Sequence, residues 1–403
     1  MYLLQETLQL IDETGLNPES NPLSGPQVPL IQIRGTELLM FCSNNYLNLS
    51  THPDVINAAV DALNKYGTGS GGSRHISGTN EMHLQLEGDL SLLKGREDSL
   101  VFSSGYLANI AAVSAIANPL AGLSVFARSL LRKNRKETIV FSDELNHASI
   151  VDACKIAGVK CMRYKHADMY DLSHKLKLYF HNNKIIISDG VFSMDGDIAP
   201  LPDIAELKKK FNAFVIIDDA HATGILGKNG RGTAEYFNLE KEVDLEVGTL
   251  NKVFGAVGGF ISGDKNVCKF LRATSRPYIF SASMPASLAA GLSASVRVIL
   301  KDSSLRDDLN NNIAYFQQLA AGTNIPCNHE FKTPIIPVIT GDERKAIRLS
   351  RYLYKMGFFI PAVTWPAVPK GKARLRVTLM SSHTKEQIKS LIDTMTPFFR
   401  AQN

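Results

Sequence analysis

No stretch of about 18 residues is apolar throughout, so no membrane-spanning helix is expected. The nearest, from Ile110 to Leu131, is broken by Asn118 and Pro119 and passes Arg128 on its way to the basic end LRKNRK. The five cysteines (Cys42, Cys154, Cys161, Cys268, Cys327) form no CxxC pair and have no histidines at ligand spacing, which predicts no bound metal and suits a reducing cytoplasm. There is no basic stripe either: the net charge of +5 is spread over many positions, which argues against nucleic acid and equally suits small anionic substrates. The start, MYLLQETLQLIDETG, lacks a basic leading segment and carries Glu6, Asp12 and Glu13, so it reads as an amphipathic helix packing on a neighbour and not as a signal peptide. No internal repeat is visible.

What is present is ordinary globular composition, 44% apolar and 21% charged. At 403 residues the chain exceeds a single core. From residue 98 onward short β-branched runs alternate with helical patterns. DSLVFSS, ETIVFSDE, NKIIISDG, AFVIIDDA and DLEVGTLNK each end in a polar cluster, the pattern of parallel strands buried on both faces. VGGFISG reads as another strand, and SIVDACKIAG and PDIAELKKKF as helices between strands, giving an α/β sandwich of βαβ units. After a long helix in SMPASLAAGLSASVRVIL the character changes: TPIIPVITGD and ARLRVTLMSS read as strands and ERKAIRLSRYLYKMG as a helix. The last helix has Thr384 and Gln387 at capping-box spacing and Ile388, Leu391, Ile392 and Met395 on one face. The expected division is an N-terminal helix-and-strand segment (1–50), a large domain (51–290) and a small C-terminal domain (291–403).

Chemistry in such a sheet gathers at the carboxyl ends of the strands. SSGYLANIAAVSAI puts Ser104, Gly105 and Tyr106 where a strand hands over to a helix, a place suited to an anion. His147 follows the next strand. AFVIIDDAHATG places two acids, Asp218 and Asp219, at the end of a buried strand, a costly arrangement unless a cation meets one of them, with His221 close behind. Lys252 follows in GTLNKVFGAVGG, a sterically open backbone that a surface lysine does not need. An anion cradle, a buried acid, an aromatic base and a lysine on successive strand ends together fit pyridoxal 5′-phosphate (PLP). Thr249 is placed to help hold the phosphate. Arg376 suits a carboxylate, its fork being a natural bidentate partner, but Arg374 shares its face and the alternation does not separate them.

With GTGSGGSRHISGT, SDELNHASIVD, DGVFSMDGDIAPL, DDAHATGILGKNGRG, GTLNKVFG and RPYIFSASMP in this order, the chain resembles the α-oxoamine synthase family of PLP enzymes, from SNNYLNL near residue 43 to SSHT at residue 384. The resemblance implies an α/β, fold-type I, aspartate aminotransferase-like transferase, with a mostly parallel sheet in the large domain and a smaller C-terminal α+β domain. It implies that Lys252 is the Schiff-base lysine and Asp218 the partner of the pyridine nitrogen. His147 matches the histidine stacked on the ring, and His221 and Ser193 match groups near the phenolic oxygen. Ser104, Gly105, Tyr106 and Thr249 match the phosphate seat. Ser281 matches a phosphate ligand from the other subunit, so a homodimer with a shared active site is implied. Arg376 matches the carboxylate-binding arginine and Asn44 a substrate-contacting asparagine. Ser73 stands where glycine-restricted members carry threonine, leaving room for L-alanine or L-serine.

The implied reaction joins an amino acid to an acyl thioester of coenzyme A or acyl-carrier protein, with loss of carbon dioxide, to give an α-amino ketone. GSGGSR and GDIAPLP are most similar to members that join L-alanine to a pimeloyl thioester in biotin synthesis, whereas VPKGKARLR and SRPYIFS lean toward members that use glycine and acetyl-CoA. A silent partner subunit would lack Lys252, and an aminotransferase would not need GSGGSR or GVFSMDGD. The chain departs from the family at Asn48, where glycine is usual. It departs again at Pro119 to Lys136, an expected insertion whose apolar run and basic end suit a membrane surface, a long acyl chain, an acidic carrier protein or a plain surface helix.

Overall fold

The computed structural model describes residues 2–14, 21–119, 136–328 and 330–400. Of the expected insertion, residues 120–135 lie outside the described residues. Strands β1 (Leu30–Ile33) and β2 (Thr36–Met40) form an antiparallel hairpin. Strands β3 (Asp98–Phe102), β4 (Thr138–Asp143), β5 (Lys160–Tyr164), β6 (Asn183–Asp189), β7 (Phe214–Asp218), β8 (Leu245–Thr249) and β9 (Gly259–Gly263) build a seven-stranded sheet in the order β3-β9-β8-β7-β6-β4-β5. Toward the C-terminus, β10 (Ile335–Gly341), β12 (Ala362–Val363) and β13 (Ala373–Thr378) form a second sheet, and β11 (Phe358–Phe359) pairs in parallel with β2.

The runs Ile185–Ile187 and Val215–Ile217 are at most 2% exposed, because helices cover both faces of the sheet. β4, β6, β7 and β8 run parallel as expected, with β5 parallel to β4 beside them, but β9 is antiparallel to both β8 and β3. That reversal has a local cause: β8 and β9 are joined by the short 250–258 turn carrying Lys252, too short for the crossover that a parallel neighbour requires. The edge strand β5 was not expected from the sequence. KCMRY is half-exposed along most of its length, and edge strands lack the continuous apolar signal.

Helix ends follow local chemistry. Helix Ala148–Ala157 starts at His147, whose ring accepts the Ser149 N–H, and stops at Gly158 in the left-handed region. At helix Lys385–Arg400 the expected capping box is formed, Gln387 Oε1 accepting from Thr384 N at 3.0 Å and Thr384 Oγ1 from Gln387 N at 3.2 Å. Its residues Ile388, Leu391, Ile392 and Met395 are at most 3% exposed. Burying such a side chain contributes about 1.5–3 kcal/mol.

The largest core cluster includes Phe41 and Tyr46, Leu250 and Phe254, Ile335 and Leu391, so the segment after β2, the Lys252 turn and the C-terminal elements share one apolar interior, while Ile31, Ile33, Leu38 and Met40 of β1 and β2 form a small cluster of their own. By contrast, Leu3, Leu4, Leu8 and Leu10 of helix Tyr2–Thr14 are exposed. No described helix is long and apolar enough to cross a membrane.

Candidate active site

The carboxyl ends of β3, β4, β6, β7 and β8 open into a cleft of about 260 Å³, lined among others by Gly105, His147, Ser193, Asp218, His221 and Lys252. β3 delivers the start of helix Gly105–Ala117. Ser104 caps it, Oγ accepting from Leu107 N at 3.1 Å and its carbonyl from Ala108 N at 3.1 Å. The amides of Gly105 and Tyr106 have no acceptor within the helix and belong to the wall of the cleft. A Cβ on Gly105 would lie 3.0 Å from Thr249 Cβ and Oγ1, so only glycine lets the helix end sit this close to β8. Thr249 Oγ1 meets Asn251 Oδ1 and the Gly258 carbonyl.

β4 delivers His147. Its loop is pinned to β6 by Asn146, which donates to the Ile187 carbonyl at 2.9 Å and accepts from Asp189 N at 2.8 Å. His147 Nδ1 lies 2.7 Å from Ser149 Oγ, and Asn109 Nδ2 donates to that same oxygen at 2.9 Å and to Asp218 Oδ2 at 2.6 Å. One buried chain of contacts therefore orients both His147 and Asp218. Burial pushes the His147 pKa down and Lys252 adds to that, against the pull of Asp218.

The two adjacent acids separate. Asp218, 5% exposed, faces the cleft and accepts from Ala220 N at 3.0 Å. Asp219 turns the other way and meets Lys94 Nζ at 3.1 Å, the cation that a buried acid requires. Asp189, close to both Asp218 and His147, is pushed well above the usual carboxylate range by burial and then by the Asp218 charge.

Lys252 is half-buried, and its amine lies 2.7 Å from His221 Nε2. Enclosure lowers its pKa to about 8 despite the opposing pull of Asp218 and Asp189. Its turn presses on the N-terminal segment: Gly255 has φ 75°, and a Cβ there would stand 2.3 Å from Ser50 N. His221 Nδ1 in turn lies 2.8 Å from the hydroxyl of Tyr46.

Arg376 and Arg374 share a face of β13, and their partners distinguish them. Arg374, 3% exposed, binds Asp195 Oδ1 at 2.5 Å and the Met194 carbonyl at 3.2 Å. Arg376 donates to the Ser193 carbonyl, to Asn44 Oδ1 at 3.0 Å and to Tyr46 Oη at 3.3 Å, with no carboxylate among these partners. Asn48, at the position where glycine was expected, adopts φ 55° and ψ 29°. It thus keeps the left-handed backbone that glycine would supply, and asparagine tolerates that region best of the alternatives.

Ser73 and Ser281 do not line the Lys252 cleft. Ser73 bridges to Ala282, and Ser281 lines a separate small pocket with Arg74 and Tyr278. Five cleft-network residues went unseen in the sequence: Tyr46, Asn109, Asn146, Ser149 and Asp189. Asn109 and Ser149 each lie within five residues of a recognised position, a spacing that offered a weak signal; Tyr46 reads as a core aromatic. Among the described residues no group of three His, Cys, Asp or Glu side chains is arranged to hold a metal.

The residues fit PLP. A lysine with a lowered pKa, an acid fixed opposite it and a helix terminus narrowed by Gly105 match its aldehyde, ring nitrogen and phosphate. Asn109 Oδ1, buried and without a partner among the described residues, shows polar capacity left for a ligand.

The model of the aminotransferase class I and II family matches residues 36–395. An 8-amino-7-oxononanoate synthase of Petrotoga mobilis is 41% identical over 389 residues, covering 96% of this chain and 94% of that protein. A serine palmitoyltransferase variant from S. paucimobilis with a bound PLP–myriocin aldimine superposes with a TM-score of 0.89 at 31% identity, over 99% of this chain and 97% of that one. The 8-amino-7-oxononanoate synthase of Francisella tularensis superposes with a TM-score of 0.74 at 26% identity, over 91% of this chain and 98% of that one.

Proposed function

The chain belongs to the aminotransferase class I and II family and, within it, to the α-oxoamine synthases, and on that premise we propose that it joins L-alanine to a pimeloyl thioester, as 8-amino-7-oxononanoate synthases do. The observation that carries this reading is the half-buried Lys252, its amine 2.7 Å from His221 Nε2, in one cleft with Asp218 and His147 and linked through His221 and Tyr46 to Arg376. The overall change is amino acid plus acyl thioester to α-amino ketone, free thiol and carbon dioxide.

Bound in the cleft, PLP supplies an electron sink for the carbanion at the amino-acid α-carbon. Gly105, Tyr106 and Thr249 would hold its phosphate, Asp218 its ring nitrogen, His147 one ring face, and His221 with Ser193 its phenolic oxygen. Arg376 grips the substrate carboxylate with a two-pronged donor, oriented by Asn44 and the Ser193 carbonyl. Lys252, neutral in a useful fraction near neutral pH, takes the α-proton. His147 covers the reacting centre and orients the thioester oxygen.

Ser281 and Ser73 complete the site from a second copy of the chain. Support for this homodimer comes from the flanking residues Ile76 and Phe280, which are 85% and 70% exposed in a single chain. The five free thiols suit a cytoplasmic home.

The stronger superposition on serine palmitoyltransferase favours one second reading, a longer acyl chain. Thiol release by the purified, PLP-loaded protein tests both. L-alanine, glycine and L-serine are each offered with acetyl-, pimeloyl- and palmitoyl-CoA. Preference for pimeloyl-CoA with alanine is expected; a maximum at palmitoyl-CoA supports the second reading, and no release with any pair excludes coenzyme A as the carrier and turns the test to acyl-carrier-protein thioesters.

A further inference from the structure

Tyr46 is fully buried, and its hydroxyl has three polar neighbours: His221 Nδ1 at 2.8 Å, Asn44 Oδ1 at 2.9 Å and Arg376 Nη2 at 3.3 Å. A phenol has one proton and two lone pairs. Arg376 only donates, so it occupies a lone pair, and His221 Nδ1 and Asn44 Oδ1 compete for the single proton. When that proton points at Asn44, Nδ1 must carry its own hydrogen toward Tyr46. Nε2 is then bare and faces Lys252 Nζ, 2.7 Å away, as an acceptor. When the hydroxyl donates to Nδ1 instead, the histidine hydrogen sits on Nε2 and meets the lysine as a donor, which suits only a neutral amine. The doubly protonated ring is disfavoured: burial, then the charges of Lys252, Arg376 and His147, push the His221 pKa well below its ordinary value. Lys252 itself also feels Asp218, Asp189 and Arg376.

We propose that Tyr46 is a positioning residue of this site: its hydroxyl sets which nitrogen of His221 bears the hydrogen facing Lys252, and ties that choice to occupation of Arg376 by a carboxylate.

The coupling runs through the charge on Arg376. Arg376 Nη1 bonds Asn44 Oδ1 at 3.0 Å and Nη2 bonds Tyr46 at 3.3 Å, and each of these nitrogens keeps a second N–H for a carboxylate, whose charge offsets that of the guanidinium beside both oxygens. With that charge offset the phenol is a weaker donor and a better acceptor, so it takes a hydrogen from Nδ1 more readily than it gives one. Arrival of the substrate carboxylate thereby favours the tautomer with bare Nε2, the form that accepts hydrogen from Lys252. The phenol performs this service only because it is buried: in water any lost partner would be replaced at once.

This inference rests on the reading of Lys252 as the cofactor lysine, and the test separates the two. The pH dependence of the bound-PLP absorbance is measured in the holoenzyme and in Tyr46→Phe, with and without propionate, which carries the carboxylate of alanine without its amine. In the wild type propionate moves the spectroscopic midpoint. In Tyr46→Phe the midpoint is expected to differ by about one pH unit, the scale of one buried hydrogen bond, and the response to propionate to fall by at least half. Asn44→Ala, which leaves Tyr46 in place but removes the acceptor that competes with His221 for its proton, is expected to lose the same response, and serves alone if Tyr46→Phe does not fold. Either variant titrating as the wild type does, with a full propionate response, overturns the role of Tyr46 alone. A wild type that binds PLP without any lysine-dependent absorbance, judged against Lys252→Ala, overturns the reading of Lys252 and this inference with it.

Discussion

Lys94 Nζ lies 3.1 Å from Asp219 Oδ2, and this contact decides which of two adjacent acids serves the cleft. Lys94 also meets Glu246 Oε1 at 3.1 Å, and both partners are fully enclosed. Burial works against the lysine charge, but the facing carboxylates of Glu246 and Asp219 outweigh it and raise its pKa. With Asp219 anchored below the sheet end, Asp218 is left to face the ligand.

Lys94→Met leaves Asp219 buried without its cation and Glu246 with Arg96 alone, 3.0 Å away. Breaking a buried pair in this way costs about 3–5 kcal/mol, so the midpoint of denaturant unfolding should fall sharply. The double variant Lys94→Met with Asp219→Asn should recover part of the loss; no recovery would remove the pair from this account.

Loading of PLP onto the apo-protein requires the neutral amine of Lys252. Because its pKa is lowered to about 8, the amine is protonated below that pH and free above it. The loading rate followed by absorbance should therefore rise with a midpoint near pH 8, against about 10.4 for an ordinary lysine. Lys252→Ala should remain folded, lose the lysine-dependent absorbance and lose turnover by roughly 10³-fold or more.

Arg376→Lys keeps the charge but loses the fork. The KM for the amino acid should rise by about 10-fold or more while the unfolding midpoint changes little. Arg374→Lys should do the reverse, because Arg374 is committed to Asp195 and the Met194 carbonyl. Steady-state kinetics and thermal melts on the same two proteins check the pair; equal effects on KM would contradict the assignment.

His166 fastens two loops of the cleft, with Nδ1 3.1 Å from Asp143 and Nε2 2.9 Å from Asp197. Burial lowers its pKa, but the two carboxylates prevail and bring it to about 10. The folded value lies above the unfolded one of about 6.5, so this stabilisation is complete below pH 6.5 and is lost as pH rises toward 10. Melting temperatures of wild type and His166→Gln should differ most near pH 6 and converge by pH 10. A constant difference across that range would mean that the histidine charge is not involved.

Much of this was legible in the chain because strand periodicity and motif order are local. β4, β6, β7 and β8 appear as apolar runs, and the polar cluster after each carries a residue that the structure brings to the cleft. The reversed β9 was less legible, since direction depends on connection length and not on the strand's own composition. β5 lacked the continuous apolar signal because it lies at an edge.

The sequence by itself determined which strand ends carry a lysine, acids, histidines and a helix start, and in what order, because side-chain alternation and chain continuity operate over a few residues. Motif resemblance singled out Asp218 and Arg376, but only the tertiary structure showed why, by committing Asp219 to Lys94 and Arg374 to Asp195, and only it brought Tyr46 to His221, 175 positions away. Each of those choices turns on a partner supplied by a distant segment. In a buried site the partner, and not the residue type, fixes where a charge or a proton resides.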